Sequence, residues 1–322
     1  MSSYGGIDLG GTKIQAAVLD SENHVLGAAR RPTPTSGGPA DVASAMEAAL
    51  RDAAGAAKLE PAKLVGIGVG SPGTVEDGTV TRARNLPGWE GTFPLAETLA
   101  SSLGCEVRVG NDVMVATDAE FRLGAGRPYR SLLGVFWGTG VGGGLILDGK
   151  PWHGRGAAGE IGHMVVKVGG ARCTCGRRGC MEAYAGRAAM ELRARKLVDK
   201  GRHSDLFKLM KQHGHARVTS GIWERALDRQ DKLANDLLDR AVRALGAGIA
   251  SAVNLLDVEC VIIGGGLGVR LGAPYVDRIA EEMRPHLFVD ADPPPVQVAE
   301  LGDLGGAIGA SLLFEREPPT KT

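Results

Sequence analysis

The sequence lacks an excess of charge of either sign. Lys plus Arg and Asp plus Glu number 37 each, so the formal net charge is zero at pH 7. Proteins that grip the phosphate backbone of nucleic acid usually carry a basic excess, so we expect no nucleic-acid partner. The length of 322 residues suits two domains of roughly 100–200 residues each.

Long apolar runs are also missing. No run of about 18 or more apolar residues occurs, which argues against a membrane span. The opening MSSYGGIDLG shows neither the charged region nor the apolar region of a signal peptide. We therefore expect no membrane partner and a location in the reducing cytoplasm, where clustered cysteines are more often metal ligands or reactive groups than disulfides.

Glycine, in contrast, is abundant, with 49 residues concentrated in loops between short apolar runs. The runs Tyr4–Leu9 and Lys13–Leu19 are joined by Gly10-Gly11 and predict a β-hairpin. The runs Leu132–Trp137 and Gly144–Leu147 flank a second glycine turn, so we expect a weak internal duplication with one hairpin opening each half. Strands alternate with helices in the rest of the predicted pattern, which is typical of α/β architecture.

The first glycine loop combines groups that bind phosphate and magnesium. Its sequence DLGGTK brings together, within six residues, Asp8, Gly10, Gly11, Thr12 and Lys13. Backbone amides, a hydroxyl and an ammonium can hold phosphate oxygens, and the carboxylate can hold a magnesium shell. The loop is not a Walker A motif, because G-x-x-x-x-G-K-[ST] is absent, and a plain hairpin turn is an equally good interpretation of this loop alone.

Two further glycine loops extend the pattern. The segment GTGVGG, with Gly138, Thr139, Gly140, Gly142 and Gly143, matches G-x-G-x-x-G, but a strand is predicted after it, whereas the dinucleotide motif must open a helix. A second phosphate-binding hairpin is therefore favoured over a Rossmann dehydrogenase. The third loop follows a predicted buried strand, where a base and ribose could lie against the backbone of Gly264, Gly265 and Gly266. Together the three loops predict a nucleotide held between two related halves.

The cysteines are few and unevenly placed. Cys173, Cys175 and Cys180 lie within eight residues of one another, in a pattern open to a disulfide, a redox switch, a metal site or only a tight turn. A Cys173–Cys175 disulfide would close a strained small ring, whereas three thiolates on a glycine-broken loop can wrap Zn²⁺ if a fourth ligand arrives. His163, ten residues upstream, completes a Cys₃His set, so we expect a closed, structural zinc site.

Two polar pairs are candidate substrate ligands. Asn111-Asp112 lies between a predicted strand and a predicted helix, and from the residues alone a helix cap is the favoured interpretation. Glu160 and His163 are three residues apart and can project from one turn. Such a pair is usually a solvated surface pair, but its position shortly before the cysteines argues against that interpretation here.

The motifs DLGGTK, GND, GTGVGGG, GEIGH, CTCGRRGCME and GGG, in this order, resemble the ROK family of sugar kinases and repressors. The resemblance runs from about Ile7 to the last helix. It implies a two-domain α/β fold of the actin–hexokinase (ribonuclease H-like) type, with ATP and sugar in an interdomain cleft. We accordingly expect a small domain of residues 1–111 plus about 303–322, and a larger domain of residues 112–302 that contains the zinc loop.

The resemblance also implies residue roles. Asp112 corresponds to the catalytic base, which accepts the proton of the attacking sugar hydroxyl. The first two glycine loops correspond to the phosphate hairpins, with Mg²⁺, and the third loop to the adenosine site. The sugar ligands would be Gly70, Ser71, Asn85, Pro87, Gly88, Asn111, Asp112, Glu160, His163 and Glu182.

The expected activity is transfer of phosphate from ATP to the 6-hydroxyl of glucose. The alternatives are N-acetylglucosamine, N-acetylmannosamine, fructose or mannose as the sugar, and polyphosphate as the donor. A sugar-sensing repressor is disfavoured because the first predicted hairpin starts by residue 4 and leaves no room for a helix-turn-helix. We expect small-molecule hexose and ATP as partners, and a homo-oligomer (dimer or tetramer).

Overall fold

A computed structural model describes residues 2–83 and 86–314. The strands, in chain order, are β1 (Ser3–Leu9), β2 (Lys13–Asp20), β3 (Val25–Pro32), β4 (Gly66–Ser71), β5 (Thr74–Glu76), β6 (Thr79–Thr81), β7 (Thr92–Phe93), β8 (Val107–Asn111), β9 (Leu132–Trp137), β10 (Val141–Leu147), β11 (Lys150–Pro151), β12 (Cys260–Gly264) and β13 (Val296–Val298). The α-helices are α1 (Pro39–Ala56), α2 (Leu95–Leu103), α3 (Asp112–Leu123), α4 (Glu182–Ala185), α5 (Arg187–Val198), α6 (Leu206–Gln212), α7 (Ser220–Asp228), α8 (Lys232–Leu256), α9 (Gly265–Leu271), α10 (Ala273–Met283) and α11 (Gly305–Ser311). No helix among the described residues is long and apolar enough to cross a bilayer.

The chain forms two compact units. Unit 1 takes its residues from Met1–Arg127, His153–Ala158 and Glu300–Thr322, and unit 2 from Pro128–Trp152 and Gly159–Ala299. Helix α3 belongs to unit 1, where it packs against α11. This grouping differs from the predicted division at residues 111/112, which remains a prediction about domain boundaries.

Unit 1 is built on a sheet with strand order β3-β2-β1-β4-β8. β1 pairs antiparallel with β2 and parallel with β4, and β4 pairs parallel with β8. Strands β1 and β4 are buried along nearly their whole length, as expected for central strands covered on both faces. A separate small sheet has the order β5-β6-β7.

Two helices cover this sheet in different ways. Helix α1 buries an apolar face that includes Val42, Met46 and Leu50, and each such side chain contributes roughly 1.5–3 kcal/mol when removed from water. The backbone of helix α11 packs directly against the backbone of the sheet, since a Cβ at Gly6 or Gly68 would collide with backbone carbonyls of the helix. Glycine at these strand positions therefore allows α11 to lie close to β1 and β4.

Unit 2 repeats the arrangement. Its sheet has the order β11-β10-β9-β12-β13, with β9 antiparallel to β10 and parallel to β12, and β12 parallel to β13. In both sheets a hairpin is followed by two parallel strands, in equivalent positions. The predicted internal duplication is therefore confirmed at the level of strand order.

Three boundaries differ from the sequence-based prediction. β10 starts at Val141, so Gly142 and Gly143 lie in a strand, paired with Phe136 and Val135, and not in the turn. Residues 264–266 end β12 and open α9, although a loop was expected. The apolar spacing over residues 182–199 predicts a single helix, but the structure breaks it at Gly186 into α4 and α5.

Candidate functional site

The first hairpin ends in a tight turn with an exposed tip. Gly10 N–H donates to the Lys13 carbonyl at 3.0 Å, and the Thr33 hydroxyl donates to the Gly10 carbonyl at 2.6 Å. These bonds fix the base of the turn and leave Gly11 and Thr12 exposed. The turn can therefore present backbone amides and the Thr12 hydroxyl to an anion.

Two charged side chains flank this turn. Lys13 Nζ forms an ion pair with Asp303 Oδ1 at 2.8 Å, and an exposed pair of this kind is worth only about 0–1 kcal/mol, so Lys13 can exchange Asp303 for a phosphate. Burial raises the pKa of the Asp8 carboxyl to about 6; Lys13 lowers it and Asp303 raises it further. A Cβ at Gly306 would lie 2.6 Å from Asp8 Cγ, so only a glycine leaves room for the carboxyl at the start of α11.

Asp8, Ser71 and Asn111 lie at the same edge of the unit 1 sheet. Parallel pairing sets Asp8 opposite Gly70, and Ser71 opposite Asn111. These are the carboxyl ends of three parallel strands, the edge at which open α/β sheets bind ligands. Ser71 is fully buried and donates to the Pro72 carbonyl at 3.1 Å.

Asp112 is the first residue of α3, and Asn111 is the helix cap. Asn111 Oδ1 accepts from the backbone N–H groups of Val113 and Met114, each at 3.1 Å, and its Nδ2 donates to the Gly73 carbonyl at 3.4 Å. Asp112 Oδ1 accepts from Val113 N–H at 2.9 Å. The capping interpretation is thus correct for Asn111, and the positive end of the helix dipole stabilises negative charge on Asp112.

The remaining unit 1 candidates are less completely defined. Asn85 lies outside the described residues. Gly88 has φ +61° and a Cβ there would lie 2.7 Å from the Gly37 carbonyl oxygen, so the backbone conformation after Pro87 requires glycine. Trp89 is a core residue, since it is 3% exposed and its Nε1 donates to the Val80 carbonyl at 3.2 Å.

The second and third glycine loops lie side by side in unit 2. The turn Gly138–Gly140 is closed by a Gly138 N–H to Gly140 carbonyl bond of 3.0 Å. A Cβ at Gly138 would lie 3.9 Å from Gly266 N, and a Cβ at Gly265 would lie 2.6 Å from the Trp137 carbonyl oxygen. The second and third glycine loops are therefore neighbours, with the hairpin turn beside the first residues of α9.

The segment from Glu182 to Ala188 holds the second turn, which sequence reasoning missed. Glu182 Oε2 accepts from Val141 N–H at 3.0 Å, and the Ala185 carbonyl accepts from Trp137 Nε1 at 2.7 Å. Backbone N–H groups of Arg187 and Ala188 donate to the Gly138 and Thr139 carbonyls at 3.1 and 3.0 Å. The local sequence signal that could have found it is Gly186, a poor helix former in the middle of a helical pattern.

The three cysteines and His163 form one cluster. Their ligand atoms all lie within 4.8 Å of one another; the shorter separations are 3.8 Å for Cys173 Sγ to His163 Nδ1 and 3.7 Å for Cys175 Sγ to Cys180 Sγ. Two thiolates on one tetrahedral zinc at 2.3 Å stand about 3.8 Å apart. Burial raises the pKa of the Cys173 thiol to about 12 and also raises that of Cys180, whereas the backbone N–H of Arg177 lowers the pKa of Cys175. A cation among the three sulfurs would favour the thiolate form of all of them.

Glu160 and Glu182 stand on either side of this cluster. His163 turns Nδ1 toward the sulfur of Cys173 and Nε2 toward Glu160 Oε2, at 3.8 Å. The Glu160 side chain is 64% exposed, so it is open to a ligand. Glu182 Oε1 accepts from the Thr174 hydroxyl at 3.3 Å, so Glu182 touches both the cysteine loop and the second hairpin.

Comparison with known proteins places this geometry in a family. The ROK family model matches residues 4–317. A glucokinase of Halalkalibacterium halodurans is 33% identical over 319 residues, covering 98% of this chain and 95% of the relative. An N-acetyl-D-glucosamine kinase of Citrobacter koseri is 31% identical over 331 residues, covering 96% and 98%.

A solved structure gives the same result in three dimensions. The crystal structure of a ROK family glucokinase from Streptomyces griseus, in complex with glucose and AMPPNP, superimposes with a TM-score of 0.84 at 31% identity, over 98% of this chain and 100% of that chain. The expected fold class, α/β of the actin–hexokinase type, is thereby confirmed. The chain belongs to the ROK family.

Proposed function

We propose that this protein is an ATP-dependent glucokinase that phosphorylates the 6-hydroxyl of glucose. The observation that carries the proposal is the likeness, over nearly the whole of both chains, to the Streptomyces griseus enzyme whose structure holds glucose and AMPPNP. The curated glucokinase at 33% identity supports the same substrate pair.

In the proposed reaction Asp112 accepts the proton of the sugar hydroxyl while its oxygen attacks the γ-phosphorus in line. The bond between the γ-phosphorus and the β–γ bridging oxygen breaks, and ADP leaves. Asp112 suits this role because α3 fixes its backbone and one of its oxygens accepts from Val113 N–H. Asn111 is held by its capping bonds and would orient the sugar.

Nucleotide phosphates would be bound by the turns at Gly10–Lys13 and Gly138–Gly140. Both turns are closed by a single backbone hydrogen bond, and each has a hydroxyl within it, Thr12 or Thr139. The Asp8 carboxylate would hold the water shell of Mg²⁺, which neutralises phosphate charge. Gly142 and Gly143 would act indirectly, because they lie in β10 and not at the turn.

The Cys₃His cluster would hold Zn²⁺ as a structural ion. The observation that supports this is its set of separations, which fits tetrahedral coordination by three thiolates and one imidazole nitrogen. With Nδ1 committed to the metal, Nε2 of His163 would be free to bond a sugar hydroxyl beside Glu160. Glu182 would be the third sugar ligand of this segment.

An N-acetylglucosamine kinase is the second candidate, because relatives of that activity are almost as similar to this chain. A coupled assay of ADP release, run over glucose, mannose, fructose, N-acetylglucosamine and N-acetylmannosamine, separates the two. We expect the highest kcat/KM for glucose. A higher value for either N-acetylated sugar would replace the glucose assignment, and no ADP release with any hexose would overturn the kinase assignment.

A further inference from the structure

The guanidinium of Arg187 touches the second hairpin turn directly. Arg187 Nη2 donates to Thr139 Oγ1 at 2.8 Å, and Nη1 donates to the Val218 carbonyl at 3.4 Å. The backbone N–H of the same residue donates to the Gly138 carbonyl at 3.1 Å. Arg187, the first residue of α5, therefore hydrogen-bonds to the turn through its main chain and, independently, through its side chain.

The direction of the side-chain bond determines where the Thr139 proton goes. A guanidinium has donors and no acceptor, so Thr139 Oγ1 must accept from Arg187. The hydroxyl still has its own proton to donate, and within residues 2–83 and 86–314 no hydrogen bond gives that proton an acceptor. Thr139 is partly exposed, so a ligand at the turn can supply one.

The same contact brings positive charge to the turn. Arg187 is partly buried, and burial lowers its pKa, as does the neighbouring charge of Arg217, while Glu191 raises it. Arginine remains protonated under these conditions. A charge-assisted donor polarises the hydroxyl it bonds to, which makes that hydroxyl a better donor to an anion.

We propose that Arg187 is a positioning residue for nucleotide binding, which fixes Thr139 Oγ1 as an acceptor so that the hydroxyl proton points to a phosphate oxygen. This inference rests on the proposed function, because it takes the ligand of the Gly138–Gly140 turn to be the polyphosphate chain of a nucleotide. Arg187 itself acts through Thr139 and does not touch the phosphate.

A double-mutant cycle on Mg·AMPPNP affinity, measured by calorimetry without sugar, tests the proposal. We expect Arg187→Met to weaken binding about 10-fold, the usual scale for a hydrogen bond to a charged group. In a Thr139→Val background the same change should cost less than about 2-fold, because the hydroxyl it serves is gone. Arg187→Lys, which keeps a donor, should restore part of the affinity.

The controls separate a positioning role from a structural or direct one. Arg193→Met removes an exposed arginine of the same helix and should leave AMPPNP affinity and the melting temperature unchanged. Equal losses from Arg187→Met in both backgrounds would mean direct phosphate contact or general loosening, and would overturn the proposal, as would no loss at all. A wrong glucokinase assignment would give a different result: the wild-type protein would bind AMPPNP but would transfer phosphate to no sugar.

Discussion

Asp112 is the single residue on which the proposed chemistry depends most. Asp112→Asn keeps the shape and hydrogen-bonding capacity of the side chain but cannot take a proton. We expect kcat to fall by about 10²–10⁴-fold, the usual range for loss of a general base, with glucose affinity changed little. Turnover would be followed by ADP release and glucose binding by calorimetry.

The matched control is Asp118→Asn on the same helix. Asp118 forms an ion pair of 2.9 Å with Arg122, one turn further along the helix, and has no role in the proposed reaction. The kcat of the Asp118→Asn enzyme should therefore stay near that of the wild type. An Asp112→Asn enzyme that retained more than about a tenth of wild-type kcat would contradict the general-base role.

Asp8 offers a prediction about stability and pH. Because its pKa rises from 3.8 to about 6 on folding, the folded state binds the proton more tightly than the unfolded chain does. The resulting stabilisation is present at low pH and is lost as the pH rises through 6. Asp8→Asn removes this loss, so the free energy of unfolding of the variant relative to the wild type should rise by on the order of 2 kcal/mol between pH 4.5 and pH 8.

Denaturant unfolding without Mg²⁺ or nucleotide measures this difference. Asp52→Asn is a control of opposite sign, since the hydrogen bond from Arg31 lowers the pKa of Asp52, and the relative stability of that variant should not rise with pH. A flat difference for Asp8→Asn would mean that its carboxyl is not strained by burial.

Some residue contacts were beyond the reach of sequence reasoning. The spacing of the three cysteines with His163 indicated a metal site, and the first glycine loop with Asp8 allowed a phosphate site. The role of Asp112 followed only from the family resemblance, because a helix cap explains its position equally well. The motifs gave no sign that Glu182 accepts from Val141, or Arg187 donates to Thr139, since these partners are more than 40 residues apart and meet only through tertiary structure. Local patterns report local geometry, and the long-range pairs depend on how the sheet and helices pack.

Among the elements, the close packing of α11 on the unit 1 sheet can be tested by substituting alanine for a glycine beneath it, with an exposed glycine elsewhere as the comparison. A Cβ at Gly68 would collide with the Ala310 carbonyl of α11, a backbone atom that cannot turn aside. We expect Gly68→Ala to lower the free energy of unfolding by about 1–3 kcal/mol, the usual cost of overpacking. Urea unfolding followed by circular dichroism would measure it.

Gly55→Ala is the counterpart in α1. A Cβ there meets nothing within 4 Å, and the position is helical and exposed. Alanine should therefore stabilise the protein by about 0.5–1 kcal/mol, through helix propensity. A Gly68→Ala protein at least as stable as the wild type would mean that close backbone approach is not the reason for glycine at position 68.

The elements themselves were largely predictable. Both hairpins and the strand before the GGG loop follow from apolar runs and glycine turns. The errors fall where glycine serves packing instead of turning. Gly143 lies within β10 and is glycine because Gly159 and Ile161 approach too closely for a side chain. A single sequence does not distinguish this use of glycine from a turn.

At the scale of the whole molecule, the proposed zinc site can be tested by measuring the zinc content of a cysteine variant. Cys175→Ser should lower bound zinc from about one per chain and weaken glucose binding, because His163 and Glu160 would lose their anchor. Nucleotide affinity should fall too, since Glu182 joins the cysteine loop to Val141. The sequence alone predicts a strong loss of sugar binding with a smaller change in ATP binding.

Elemental analysis with calorimetric titration of glucose and AMPPNP would settle this prediction. Cys105→Ser is the control, because Cys105 lies outside the cluster and its variant should keep the metal. A zinc-free Cys175→Ser protein with undiminished glucose affinity would contradict the proposed role of the ion.

The position of Trp137 has a practical consequence for all of these measurements. Its indole is fully buried, is bonded to the Ala185 carbonyl at 2.7 Å, and belongs to the residue directly before the turn that closes at Gly138. The emission of a buried indole depends on the local electric field, so a polyanion arriving at the turn should shift or quench it. The protein should therefore carry an intrinsic optical reporter of nucleotide binding at this turn. We expect Trp137→Phe to remove most of the response, with the other three tryptophans, Trp89, Trp152 and Trp223, supplying the background.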